Sequence, residues 1–388
     1  MAKKILIIDD SALMRRVISD IIKSNKQYEV ADLANDGLSG FDKIVSNPKL
    51  YDAVILDINM PKMNGLELLE MLQKNRIQQT TIVVSTVAKE GAKETIRALE
   101  LGAFDFVTKP ENFIEAKGEN FKKNILDMLD VATGSNTKAS VISQLPTNDS
   151  TRLGTTSLHT FSTPKWNSTA SNAVRTTSRP AMSVKMSEPS AYKREKSSRL
   201  VALACSTGGP KSLQQVIPYL PAELNSAVVV VQHMPAGFTK SLAARLNEIS
   251  KVTVKEAEDG EALSKGTVYI APGGRHIRLT RSGNDMKIAL SDEPPVDALR
   301  PCANVMYESL KNSPYDEIVC VVLTGMGADG TNGIRSLKGN KKIHVIGQDE
   351  STSIVYGMPR AIAEAGLVDE VKPLDEIADA ITRNTGVC

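Results

Sequence analysis

The 388 residues carry 47 Lys or Arg against 45 Asp or Glu, a formal charge of +2 at pH 7, so there is no bulk electrostatic case for nucleic acid or a membrane surface. That length exceeds what one hydrophobic core usually supports and predicts two domains of ordinary size. Cys205, Cys302, Cys320 and Cys388 form no CxxC pair, and the apolar runs are short, which predicts a reducing, cytoplasmic setting with neither signal peptide nor membrane-spanning segment.

In chain order, short apolar runs at 5–8, 53–56, 82–84 and 106–107 alternate with longer stretches of helical periodicity. This rhythm predicts a parallel sheet with helices on both faces, a doubly wound α/β domain over residues 1–130. The helix after Asp10 presents Leu13, Val17, Ile18, Ile21 and Ile22 on one face, the helix after Gly65 presents Leu66, Leu69 and Leu72, and a last helix spans 113–129. Residues 131–198 then turn to Ser, Thr, Asn and scattered Pro, with nine Lys or Arg against three Asp or Glu. That composition predicts a flexible linker, because too few large apolar groups are present to offset the entropy of ordering. Trp166, the sole tryptophan, lies within it without a surrounding motif.

Strand-like runs resume at 200–204, 227–231, 267–271, 318–323 and 343–346, predicting a second, larger parallel-sheet domain over 199–380 and a tail over 381–388. Two strand-like pieces around Ser282-Gly283-Asn284 predict a hairpin on the sheet's edge.

Asp9 and Asp10 directly follow the first strand run and Asp57 a later one. In a parallel sheet these positions meet at the carboxyl edge, where open α/β folds bind ligands. Three clustered carboxylates repel one another unless a hard cation joins them, and Mg²⁺ with oxygen ligands answers that need. Asp57 is then a nucleophile for a phosphoryl group, Lys109 neutralises the added charge and Ser85 hydrogen-bonds a phosphoryl oxygen. Each Asp alone also reads as an ordinary strand-end cap. Together with Met60-Pro61-x-Met63-x-Gly65 and Thr108-Lys109-Pro110, the stretch 3–129 resembles the receiver domain of bacterial response regulators. The resemblance implies a flavodoxin-like fold, phosphorylation of Asp57 by a chemotaxis histidine kinase, and Mg²⁺ held by Asp9, Asp10 and Asp57. It also matches Phe106 to the aromatic whose inward turn accompanies activation, although Phe106 reads equally as a buried strand residue.

Cys205-Ser206-Thr207-Gly208-Gly209-Pro210 follows the first strand of the second domain, at a turn able to expose the Ser206 hydroxyl; neither P-loop nor GxGxxG spacing is present. His233 ends the next strand, and Asp329 follows another in Thr324-Gly325-Met326-Gly327-Ala328-Asp329-Gly330. All three can converge on one sheet edge, with His233 taking a proton from Ser206 and Asp329 holding its tautomer. Singly, each reads as a cap, a loop histidine or a turn former. His276 reads as a loop or groove residue, while His159 and His344 form no zinc set with nearby Cys.

With Gln232-His233-Met234-Pro235, Ala271-Pro272-Gly273 and Gly357-Met358-Pro359, the stretch 199–374 resembles the catalytic domain of the chemotaxis protein-glutamate methylesterases. The resemblance implies a serine esterase in which Ser206 is the nucleophile, His233 the base and Asp329 its orienting acid. Met326 then donates a backbone N–H to the oxyanion, and Thr207 shapes the site. It implies hydrolysis of glutamate γ-methyl esters on methyl-accepting chemoreceptors, deamidation of selected glutamines, recruitment to membrane-bound receptor arrays, and no cofactor for ester hydrolysis. Ala204 stands where glycine is common, and Cys302 and Asn304 where Ser and Asp are more frequent, departures expected to bear on efficiency or the substrate groove. The alternative is a noncatalytic signalling protein that binds receptor and kinase; a nucleic-acid-binding regulator is disfavoured by the absence of a basic recognition helix.

Overall fold

In the computed structural model, residues 2–86, 88–110, 113–116, 118–135, 198–283 and 285–387 are described. Trp166, His159, Cys388 and all of the expected linker except 131–135 and Ser198 lie outside them. Five strands, β1 (Lys3–Ile8), β2 (Tyr28–Ala34), β3 (Ala53–Asp57), β4 (Thr81–Ser85) and β5 (Asp105–Thr108), pair in parallel in the order β2-β1-β3-β4-β5. Six helices join or follow them: α1 (Ala12–Lys23), α2 (Gly37–Ser46), α3 (Gly65–Lys74), α4 (Lys89–Glu100), α5 (Phe113–Ala116) and α6 (Glu119–Ala132).

Both faces of the sheet are covered, which is why its central strands are continuously apolar. Ile5 and Ile7 pack with Val17, Ile18, Ile125 and Leu129, while Leu6 and Ile8 face Leu68, Leu69 and Leu72. Ser11 caps α1 by accepting the Met14 N–H, and Asn64 with Glu67 forms a reciprocal capping box on α3. The sequence reading contains no β2; this edge strand is mostly half-buried or exposed, so its composition lacks a clean period. The helix expected over 113–129 is two pieces, with extended backbone at Gly118 before α6.

The second half contains β6 (Arg199–Cys205), β7 (Ala227–Gln232), β8 (Thr253–Glu256), β9 (Thr267–Ile270), β10 (His276–Ser282), β11 (Asp285–Ser291), β12 (Glu317–Val322), β13 (Ile343–Gln348) and β14 (Glu370–Lys372). Its helices are α7 (Gly209–Val216), α8 (Phe238–Ile249), α9 (Ala303–Ser309), α10 (Thr331–Lys338), α11 (Met358–Glu364) and α12 (Ile377–Thr385). Seven strands form a parallel sheet in the order β14-β13-β12-β6-β7-β9-β8, and the chain reverses its direction of growth between β6 and β12. β10 and β11 form their own antiparallel pair, burying Ile277, Leu279, Met286 and Ile288 in the core beside β9 and α9. The edge strands β8 and β14 were not legible in the sequence. The boundary expected at 380 falls inside α12, and the Asn225 N–H donates to the Gly386 carbonyl, so this end packs on the domain. No helix among the described residues is long and apolar enough to cross a membrane.

Candidate active site

Parallel pairing of Ile8 with Leu56 sets Asp9 beside Asp57 at the strand ends, and pairing of Ser85 with Thr108 brings Lys109 to the same edge. Lys109 Nζ lies 2.8 Å from Asp57 Oδ2 and 3.2 Å from Asp9 Oδ2. Burial raises both carboxyls above their ordinary range against the opposing pull of Lys109; burial alone would lower Lys109, but Asp57 and Asp9 raise it. Gly65 is obligatory, because a Cβ there would lie 2.4 Å from the Asp57 carbonyl oxygen. One carboxylate oxygen from each of Asp9, Asp10 and Asp57 falls within 4.8 Å of the others, so a divalent cation can be held by these hard oxygen donors. The Ser85 hydroxyl points instead into α4, 2.6 Å from Thr95 Oγ1 and 3.2 Å from the Gly91 carbonyl oxygen.

The second cluster lies at the topological switch point, where ligands bind in open α/β sheets. Cys205 pairs with Gln232, so Ser206 and His233 leave adjacent strands side by side, and Ser206 N–H donates to the Thr324 carbonyl after β12. Gly325 permits this approach: a Cβ on it would lie 2.7 Å from Ser206 Cβ. His233 Nε2 is 2.7 Å from Asp329 Oδ2. Burial works to raise the Asp329 carboxyl, but His233 and the Ala303 and Asn304 amides outweigh it and hold the pKa below the usual value. The ionised carboxylate therefore assigns the shared proton to Nε2 and leaves Nδ1 as the basic nitrogen. Ser206, Thr207, His233 and Met326 line one cavity of about 230 Å³, and no hydrogen bond among the described residues joins the Ser206 hydroxyl to the imidazole. Such contacts often tighten only when substrate binds.

Two readings change. Cys302 and Asn304, expected to bear on efficiency or the substrate groove, are buried behind Asp329 rather than lining the groove, and there the Cys302 thiol and the Asn304 N–H donate to Oδ1. His276, expected in a loop or groove, opens β10 fully buried, with Nε2 3.1 Å from the Pro294 carbonyl oxygen. Cys205, next to Ser206, is buried and its thiol is pushed far up, which removes thiolate chemistry there.

A family model described as CheB methylesterase matches residues 201–381, and one described as response regulator receiver domain matches 5–117. The protein-glutamate methylesterase/protein-glutamine glutaminase 1 of Syntrophomonas wolfei is 38% identical over 383 residues, covering 98% of each chain. The chain belongs to the CheB methylesterase family. A protein-glutamate methylesterase/protein-glutamine glutaminase of Geobacillus kaustophilus is 37% identical over 99% of each chain. The crystal structure of the Thermotoga maritima CheB methylesterase catalytic domain aligns at 40% identity with a TM-score of 0.47, over 48% of this chain and 99% of its own.

The receiver match precedes the methylesterase match along this chain, and the receiver packs beside the Ser206 cavity. Asp105 of β5 accepts the Gly208 N–H at 3.3 Å and also the Thr207 hydroxyl. The next residue, Phe106, lies with its ring centroid 4.6 Å from that of Phe238 on α8, while Arg245 Nε is 2.5 Å from Glu100 Oε1 at the end of α4. Asp105 and Phe106 also line the cavity of Ser206 and His233. Sequence reasoning missed Asp105, since one Asp opening a strand carries no signal of a partner 103 residues away.

Proposed function

We propose that this chain is a phosphorylation-activated serine esterase that hydrolyses glutamate γ-methyl esters on methyl-accepting chemoreceptors, releasing methanol, and deamidates selected receptor glutamines. The His233–Asp329 pair at 2.7 Å, beside Ser206 in one cavity, carries the reading. The names of relatives matched along nearly their whole length support the substrate class.

His233 Nδ1 takes the Ser206 proton as Oγ bonds to the ester carbonyl carbon, and the Met326 N–H receives the resulting oxyanion. Collapse breaks the bond to the methoxy oxygen, which leaves as methanol with the proton from Nδ1. Water then gives a proton to Nδ1 and attacks the acyl-enzyme, and return of that proton to Ser206 frees the glutamate carboxylate. From a glutamine side chain, ammonia leaves in place of methanol. Thr207 orients the turn.

In the receiver, Asp57 accepts a phosphoryl group from a histidine kinase, Lys109 offsets its charge, and Ser85 swings from Thr95 to bond it. Asp9, Asp10 and Asp57 would hold Mg²⁺, which when bound offsets the negative charge gathered there. Phe106 follows this rearrangement, and the population moves away from a docked receiver that obstructs the receptor's path to Ser206. The enzyme works in the cytoplasm, recruited to receptor arrays.

Methanol release from methylated receptor membranes, with and without a small-molecule phosphodonor, tests both halves. Ser206→Ala should lose turnover by several orders of magnitude under either condition while Asp57 phosphorylation persists. Asp57→Asn should keep basal turnover and lose stimulation. Substantial turnover in Ser206→Ala rejects the nucleophile, and full stimulation in Asp57→Asn rejects the switch. Wild type that binds receptor yet releases no methanol would favour a noncatalytic signalling role.

A further inference from the structure

The Asp329 carboxylate accepts five hydrogen bonds. Oδ1 receives the Asn304 N–H at 2.9 Å, the Gly330 N–H at 2.9 Å and the Cys302 thiol at 3.2 Å; Oδ2 receives the Ala303 N–H at 2.6 Å and His233 at 2.7 Å. The side-chain oxygen of Asn304 accepts a further pair, Gly330 N–H at 3.0 Å and Gly333 N–H at 2.7 Å. Asn304 thus holds the loop of Asp329 and the first turn of α10 from one side, and close contact is required: a Cβ on Gly333 would lie 2.8 Å from Asn304 Cα.

We propose that Cys302 and Asn304 are positioning residues for the esterase reaction, the thiol and the amide oxygen together setting the rotamer and charge of Asp329 and, through it, the orientation and basicity of His233. The inference rests on the roles of Ser206, His233 and Asp329 proposed above. A buried carboxylate is worth most when every lone pair is engaged, because an unsatisfied oxygen in this environment keeps its full desolvation cost. Neither backbone amide can turn to follow Asp329 if it rotates, so the thiol closes the one side of Oδ1 left to a side chain.

The thiol acts as a donor throughout the working range, since burial and then the charge of Asp329 push it up to about 12. Tyr307 on α9, which feels the charge of Asp329, is raised chiefly by burial and therefore neutral. Asp105 and Asp127 of the receiver line the cavity with His233, and burial raises both, Asp105 to about 6; the Cys302 and Asn304 variants leave them in place, so a shift against wild type reads the change behind Asp329. Fewer donors on Oδ1 leave more negative charge facing His233, which favours the imidazolium and removes the free base that must take the Ser206 proton on the acid side of the profile.

Methyl-ester hydrolysis by the full-length chain, measured from about pH 5 to about pH 9, reads this directly. Cys302→Ala should lower kcat on the order of fivefold with KM little changed, and move the acid limb of the profile to higher pH. Cys302→Ser, a near-isosteric donor, should restore both. Asn304→Asp keeps an acceptor for Gly330 and Gly333 but adds a carboxylate beside Asp329, and should move the limb the same way. An acid limb unmoved in Cys302→Ala and Asn304→Asp, or Cys302→Ser as impaired as Cys302→Ala, overturns the proposal. Methanol release from wild type that is no greater than from Ser206→Ala overturns the esterase reading itself, a different result from an active wild type with insensitive variants.

Discussion

At Asp329 the chemistry depends on one acceptor atom. Asp329→Asn would turn an amide N–H₂ toward groups that already donate, so His233 loses its partner and Nδ1 is no longer held as the base. Hydrolysis should fall roughly 10²- to 10⁴-fold at neutral pH while phosphorylation of Asp57 is retained; a loss below tenfold would remove Asp329 from the mechanism. Because the pKa of this carboxyl is depressed, its ionised form stabilises the fold above the unfolded value of 3.8 and that contribution fades as pH falls through the folded value. Gly325 acts by what it lacks. Gly325→Ala drives a methyl group against Ser206 Cβ, 2.7 Å away, so turnover should drop by more than about tenfold with a destabilisation of about 1–3 kcal/mol, read by urea unfolding.

β5 joins the two halves at the scale of one element. Within five residues the chain passes Asp105, held by Gly208 and Thr207, Phe106 against Phe238, and Lys109 on Asp57. Burial raises Asp105 from 3.8 to about 6, more than its N–H and O–H donors lower it, and no cation is among those partners. A raised folded pKa means that the stabilisation is complete below 3.8 and lost as pH rises through about 6. At neutral pH the docked receiver therefore holds an ionised carboxylate at a cost of about 3 kcal/mol. Asp105→Asn keeps an acceptor for Gly208 and removes that cost, so it should raise the unfolding midpoint at neutral pH far more than near pH 4, and lower basal hydrolysis. An equal shift at both pH values would show that the carboxylate is not desolvated by docking. α4 supplies the second link, since Thr95 holds Ser85 and Glu100 holds Arg245. The Arg245 side chain is 37% exposed, so Arg245→Ala should weaken docking by at most about 1 kcal/mol and raise basal hydrolysis no more than about fivefold.

Over the whole molecule, two parallel sheets each place their polar residues at a switch point, and one buried cluster runs from Leu68, Ile96 and Leu99 of the receiver to Leu213, Phe238 and Leu242 of the methylesterase domain. The receiver thereby sits against the side of the cavity that contains Ser206 and His233. Removing residues 1–130 should raise basal methanol release and abolish its response to phosphodonor, measured on receptor membranes against a circular-dichroism control for folding. A folded fragment with unchanged basal rate would argue against steric inhibition.

The sequence by itself determined the α/β class and the central strands, because strands buried on both faces must be continuously apolar, and their ends then bring Asp9, Asp57, Ser206, His233 and Asp329 to carboxyl edges. It did not reveal β2, β8 or β14. Each is a sheet edge or a short strand half open to solvent, with no apolar period to read. Only the tertiary structure decided that Cys302 and Asn304 stand behind Asp329, that Asp105 reaches Gly208, and that Ser85 is engaged by Thr95. Local patterning reports which face of an element is buried. Which polar group answers another across a hundred residues is set by strand order and packing, and a lone Cys, Asn or Asp carries no trace of it.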